Sequence, residues 1–509
     1  MNDVIFIKGK SATKRTAAGK DYISGLVLYS DTLPSGFTTT DNVKQVFSLL
    51  NAENLGITNT FTDETPATAT YLVTNAGTTG DTINIKVKEP LGVTVDLGTY
   101  TKVAADSTVA KVGDAIALII NNGTRTHGYT AIASTGTVTI TAKSGLGVWL
   151  NSNTPYTVTI GGNAIPTLAG TLTQPSNGVA GKLAVWNYHI SEFFRGNPNS
   201  ELWVGIFPVP SPYTFSEITT LQTKAGGSIR QVGIFKDSAA YASSDLTLID
   251  TVIKTYNDAK HKPLSALYAG NLKATTDITA IADVSLLSAN KASSIIGQDG
   301  YGRGAYLYYT TGKSVTQLGI ALGMTSLASV SEDIANPARF NITDGTENNV
   351  PAFANGQLLS DTLLSDSAID SINTKRHIFG RSFVGYSGTF FNDNHTAITA
   401  TSDYAYMSDN RTIDKAIRGL YIALVPYLAS RIQFNADGTM SDNTISFFQN
   451  ECLQVLYQMA REGDLSTVTD EDVYIDPSQL VKTTSKLIIN VELNIVGIAR
   501  NIEVPIAFK

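Results

Sequence analysis

Apolar and polar residues alternate most cleanly late in the chain. Leu487, Ile489, Val491, Leu493 and Ile495 fall on one face, with Asn490, Glu492 and Asn494 on the other. A period of two predicts a half-buried strand. After Gly497 a second run puts Ile502, Val504, Ile506 and Phe508 on one face and Asn501, Glu503 and Lys509 on the other. Pro505 has no N–H to give a ladder, so this strand sits at a sheet edge or keeps one side unpaired. Near the start Val4, Ile5, Phe6 and Ile7 form a third apolar strand. It precedes a basic, small-residue stretch (8–20) able to extend as an arm. Apolar edge strands need a designated partner. Two readings stay open: the strands pair within the chain, or they are lent to neighbouring subunits.

Helical spacing takes over upstream. Ile413, Ile417, Leu420 and Leu424 line one face of a helix predicted over 411–431, capped by Ser408, Asp409 and Asn410 and kinked at Pro426. Arg411, Lys415 and Arg418 fall on nearly the opposite face. That stripe reads either as a solvated surface or as a site that docks on an acidic partner. A second helix starts near Ser441 and ends at Gly463.

Residues 180–375 alternate continuous apolar strands (202–207, 232–235, 264–268, 294–297) with helical stretches near 214–226, 244–260 and 277–291. Such alternation implies a parallel or mixed sheet covered on both faces. Residues 66–173 are rich in Thr, Val, Gly and Ala. Short runs at 82–87, 115–120, 137–140 and 156–160 between Gly/Asn turns suggest a β-sandwich or small barrel. Residues 40–50 read as a short helix capped by Thr40 or Asp41.

The fold expected is therefore a multidomain α+β or α/β chain: a mixed sheet flanked by helices, an inserted all-β domain and extended strand arms. The boundaries expected are a strand arm at 1–20, the start of a core domain at 21–65, the inserted β domain at 66–175, an α/β domain at 176–375, a further core domain at 376–500 and a second arm at 501–509.

Composition sharpens this picture. Only 16% of the 509 residues are charged, against about 25% in ordinary soluble domains, which suits a surface largely covered in an assembly. A net charge of −7 without any Lys/Arg-rich run argues against direct nucleic-acid binding. The opening residues lack the pattern of a secretory signal, and the apolar run 420–429, interrupted by Pro426, is too short to span a bilayer. A soluble protein made in a cytoplasm is expected. The single cysteine, Cys452, excludes an intrachain disulfide and lies on an apolar helical face as a core thiol.

Candidate chemistry falls away on inspection. Gly312, Lys313 and Ser314 suggest a phosphate-binding loop, but the position that must be glycine is Leu307. A turn after a strand at 306–309 accounts for them. Gly300, Gly302 and Gly304 lack the dinucleotide spacing. Asn435, Asp437 and Gly438 resemble part of a calcium loop, yet Thr444 stands where Glu is needed. The histidines His127, His189, His261, His377 and His395 form no metal-binding frame. No catalytic residue, cofactor or metal site is expected, and the chain is read as non-enzymatic.

The run Thr401-Ser402-Asp403-Tyr404-Ala405-Tyr406, then Asn410 to Arg418, Asp437-Gly438-Thr439, Ile475-Asp476-Pro477 and residues 484–506 resemble the C-terminal region of contractile tail sheath proteins. These occur in tailed bacteriophages and related contractile injection systems. The resemblance implies stacked hexameric rings around an inner tail tube, ending on baseplate and tail terminator proteins. It implies a place in the virion tail, assembled in the cytoplasm of a bacterial host. Carried over, Val4, Ile5, Phe6, Ile7, Ile502, Val504, Ile506 and Phe508 are donated strands. Leu487, Ile489, Val491, Leu493 and Ile495 form the receiving strand, and Arg411, Lys415 and Arg418 face the tube. The competing class is a surface-decorating adhesin that binds glycan through the Thr/Gly-rich β domain.

Overall fold

The computed structural model describes residues 20–506. Val4, Ile5, Phe6, Ile7, Phe508 and Lys509 lie outside the described residues.

A seven-stranded sheet forms the body, in the order His377–Ile378, Ala292–Ile295, Ser265–Asn271, Gln231–Ala240, Ser24–Tyr29, Leu202–Phe207, Val43–Val46. Six strands run parallel and the edge strand Val43–Val46 is antiparallel. Ser24–Tyr29 is central and buried throughout. Leu26 and Leu28 point into one apolar layer, while Val27 and Tyr29 point into the other. Side chains alternate across a strand, so a strand with helices on both faces must be apolar at every position.

Helices Leu183–Gly196 and Leu318–Leu327 cover the first face; Glu217–Lys224 and Ser244–Lys260 cover the second. The first two approach so closely that a Cβ on Gly319 would lie 2.3 Å from the His189 carbonyl oxygen, and one on Gly323 would lie 2.5 Å from that of Phe193. Glycine at that spacing is what permits the contact.

Several elements differ from the sequence reading. The helix expected at 40–50 is the strand Val43–Val46 followed by the helix Leu49–Asn54, whose cap is Ser48. Residues 277–291 hold only the short helix Ile278–Ala280, because Asp277 and Asp283 accept backbone N–H groups and set loops instead. Residues 306–309 belong to the helix Arg303–Thr311, not to a strand, and Gly312 ends it in the left-handed region at φ 65°. The Gly312 N–H is spent on the Tyr308 carbonyl and Lys313 faces Asp237 at 3.1 Å. No phosphate cradle forms there.

Residues 66–175, expected to be all-β, contain the 14-residue helix Val109–Asn122. Thr108 caps it, and Val112, Ile116 and Ile120 point into a core shared with a four-stranded and a three-stranded sheet. The run 115–120 is therefore helical. Thr65 bridges Val179, so the chain leaves and re-enters the body side by side.

Candidate assembly surfaces

The helix Met407–Leu424 presents its faces the opposite way to that of a surface helix. Arg411, Asp414, Lys415 and Arg418 are buried, whereas Ile417, Tyr421 and Ile422 are exposed. Inside, each charge meets a partner. Lys415 Nζ lies 2.5 Å from Asp464, 2.6 Å from Glu462 and 3.6 Å from Asp21. Arg418 Nη2 lies 2.5 Å from Asp21, and Asp414 accepts from Lys291 at 2.5 Å. Arg411 donates to the carbonyls of Ser329 and Ala328 at 3.1 and 3.2 Å.

Burial pulls the Arg411 guanidinium down to about 10, so it stays charged at neutral pH. Burial also works against the Lys415 ammonium, but the hydrogen bonds it donates to Asp464 and Glu462 outweigh it and hold that group above its ordinary value. This corrects the expectation that Arg411, Lys415 and Arg418 face a partner. The three are consumed inside the protomer, tying this helix to the chain at Asp21 and to the loops at 328–329 and 462–464.

The next helix, Asp442–Arg461, starts after Ser441 and is followed by Gly463 at φ 83°. Cys452, Leu453, Leu456 and Met459 form its buried stripe. Burial pushes the Cys452 thiol up to about 11, as suits an inert core sulfur. Leu487, Ile489, Val491 and Leu493 pack half-buried around this helix, while Ile495 is exposed.

That strand pairs with residues 465–474 in two short antiparallel pieces: Leu465 opposite Ile495, and Val473 opposite Val491. Each piece is two-stranded, so among the described residues no strand covers the other edge of 490–495. Between Asp437 and Thr439 the calcium-like loop is a turn, closed by the bridge Phe434–Met440.

Beyond Ile495 the chain leaves this ribbon. Val496 and Ile498 are half-buried, and the Arg500 side chain enters a socket built by Asp333, Asp393, Asn394 and Tyr406. From Asn501 onward every described residue is exposed: Ile502 by 82%, Val504 by 71% and Ile506 by 91%. No strand pairs with residues 501–506 among the described residues.

Sequence reasoning missed the socket, because Asp333 and Asp393 lie 167 and 107 residues from Arg500. The one signal was that Arg500 is the sole charge between Leu493 and Ile502. No cluster of three or more metal-ligating side chains occurs among the described residues, and no helix among them is long and apolar enough to cross a membrane.

Residues 403–509 match the family described as DUF2586, C-terminal domain. A comparison with curated proteins finds no match. Among solved structures, the chain is similar to the helical sheath of the anti-feeding prophage in its contracted state, at 15% identity and a TM-score of 0.45, over 63% of this chain and 81% of that one. It is also similar to chains in two baseplate structures of the same prophage. The six-fold symmetrised baseplate gives 16% identity and a TM-score of 0.39 over 64% and 80% of the two chains. The contracted baseplate gives 15% and 0.40 over 64% and 85%.

Proposed function

We propose that this chain is the structural, non-enzymatic subunit of a contractile tail sheath. Copies stack as hexameric rings around an inner tube, between baseplate and tail terminator, and contract to drive the tube through a cell envelope. The observation that carries the reading is the segment 501–506. It is apolar on alternate residues, exposed throughout and without a strand partner among the described residues, and it follows a ribbon whose other edge no described strand covers. Lending it to that edge in a second copy would bury three β-branched side chains, each worth about 1.5–3 kcal/mol. The sheath resemblance over 400–509 supports the same assignment.

The surface offered to a tube or neighbour from the helix Met407–Leu424 is then apolar, through Ile417, Tyr421 and Ile422, and not the basic stripe. Contraction in this scheme draws on a metastable extended assembly and uses no nucleotide.

Electron microscopy of the purified chain tests the proposal. The full chain should form tubes or rings, and removal of residues 501–509 should leave folded protomers that do not assemble. Tubes from the truncated chain would defeat it.

A further inference from the structure

We propose that Arg500 is the positioning residue that fixes where the donated strand leaves the protomer and in which direction it points. This rests on the strand-exchange reading above. The Arg500 Nε lies 3.1 and 3.2 Å from the two carboxylate oxygens of Asp393. Its Nη2 lies 2.9 Å from Asp333 and 3.3 Å from the Asn394 side-chain oxygen. The guanidinium carbon sits 3.3 Å from the centre of the Tyr406 ring. A planar fork held by carboxylates and stacked on an aromatic face is fixed in orientation as well as place, which an ammonium could not reproduce.

The socket is itself rigid. Asp333 takes the Ala335 N–H at 2.8 Å, and the Asn394 side chain donates to the Ser408 hydroxyl at 3.1 Å. Asp333, Asp393 and Asn394 are all more than nine-tenths buried. It joins three separate parts of the body: the loop after Leu318–Leu327, the loop after Tyr386–Phe391, and the start of the basic helix.

Position along the chain supplies the function. Ile495 is the last residue held by the ribbon, and residues 501–506 are wholly exposed, so Arg500 is the final anchor before the strand. Without it the last packed residue is the half-buried Ile498, two residues back, which adds about 7 Å of unconstrained reach. Those residues must then be ordered anew at every strand-exchange contact, at roughly tenfold in affinity per residue. A looser tether also lowers the effective concentration of the strand at its neighbour.

Arg500→Gln alone would leave two converging buried carboxylates, so the test combines it with Asp333→Asn and Asp393→Asn. The full-length triple variant should melt within a few degrees of the wild type. Its critical concentration for assembly, read by sedimentation, should rise at least about tenfold, with faster amide exchange at 496–500. A triple variant that assembles at the wild-type concentration overturns the proposal, as does unchanged exchange at 496–500. If the triple variant does not fold, Arg500→Lys decides: a folded protein with a raised critical concentration supports the role, and an unchanged one refutes it. Deleting 501–509 separates the two layers. Wild-type assembly by that truncation defeats strand exchange and this inference together. Its failure to assemble, beside a normally assembling triple variant, defeats the inference alone.

Discussion

The strand Ser24–Tyr29 and the segment 501–506 are built from the same kinds of residue and meet opposite fates. Leu26, Val27 and Leu28 are at most 1% exposed, enclosed by two neighbouring strands and a helical layer on each face. Ile502, Val504 and Ile506 are 71–91% exposed. Apolar content therefore does not decide burial; the supply of a partner does. The first strand finds its neighbours within the chain at Leu202–Phe207 and Gln231–Ala240. The second has none among the described residues, and Pro505 limits it to one hydrogen-bonding side.

The basic helix repeats the lesson in reverse. Its charges are inside because Asp21, Glu462 and Asp464 are there to meet them, and Ile417, Tyr421 and Ile422 are left outside. The largest effect on protomer stability should come from breaking that buried cluster. Lys415→Met leaves Asp464 and its neighbours uncompensated and should cost about 3–5 kcal/mol in denaturant unfolding. The same substitution in a solvated stripe would cost almost nothing. Leu28→Ala should follow, at about 2–5 kcal/mol, through the cavity left in the body. Val504→Ala should change protomer stability by less than about 0.5 kcal/mol while impairing assembly. Equal losses for Leu28→Ala and Val504→Ala would mean that 501–506 packs within its own protomer.

Much of this architecture was legible in the sequence, and the failures have physical causes. The helix beginning after Ser441 and the half-buried alternation at 487–493 follow from periodicity, which is local. The central strand Ser24–Tyr29 escaped notice because a strand buried on both faces shows no alternation, and Ser24 and Gly25 blur its start. Residues 115–120 read as a strand because a short apolar run fits both periods. The Thr108 cap, whose hydroxyl accepts the Lys111 N–H, decides for helix. At 277–291, Ile278, Ile281 and Val284 have helical spacing and are buried, yet Asp277 and Asp283 divert the backbone.

The candidate assembly surface was half legible. The apolar alternation of Ile502, Val504 and Ile506 was visible in the sequence. The inward turn of Arg411, Lys415 and Arg418 was not, because their partners at Asp21, Glu462 and Asp464 are distant in sequence and no periodicity records them. A charged stripe looks the same whether water or a carboxylate faces it. The Arg500 socket was hidden for the same reason.

The most direct measurement is amide hydrogen exchange of residues 496–506, compared between dispersed protomers and the assembled state. In dispersed protomers residues 501–506 should exchange at nearly unprotected rates. Assembly should slow the Ile502, Val504 and Ile506 amides by orders of magnitude, since those share the edge that Pro505 leaves intact. Unprotected amides at Ile502, Val504 and Ile506 in fully assembled material would contradict strand donation.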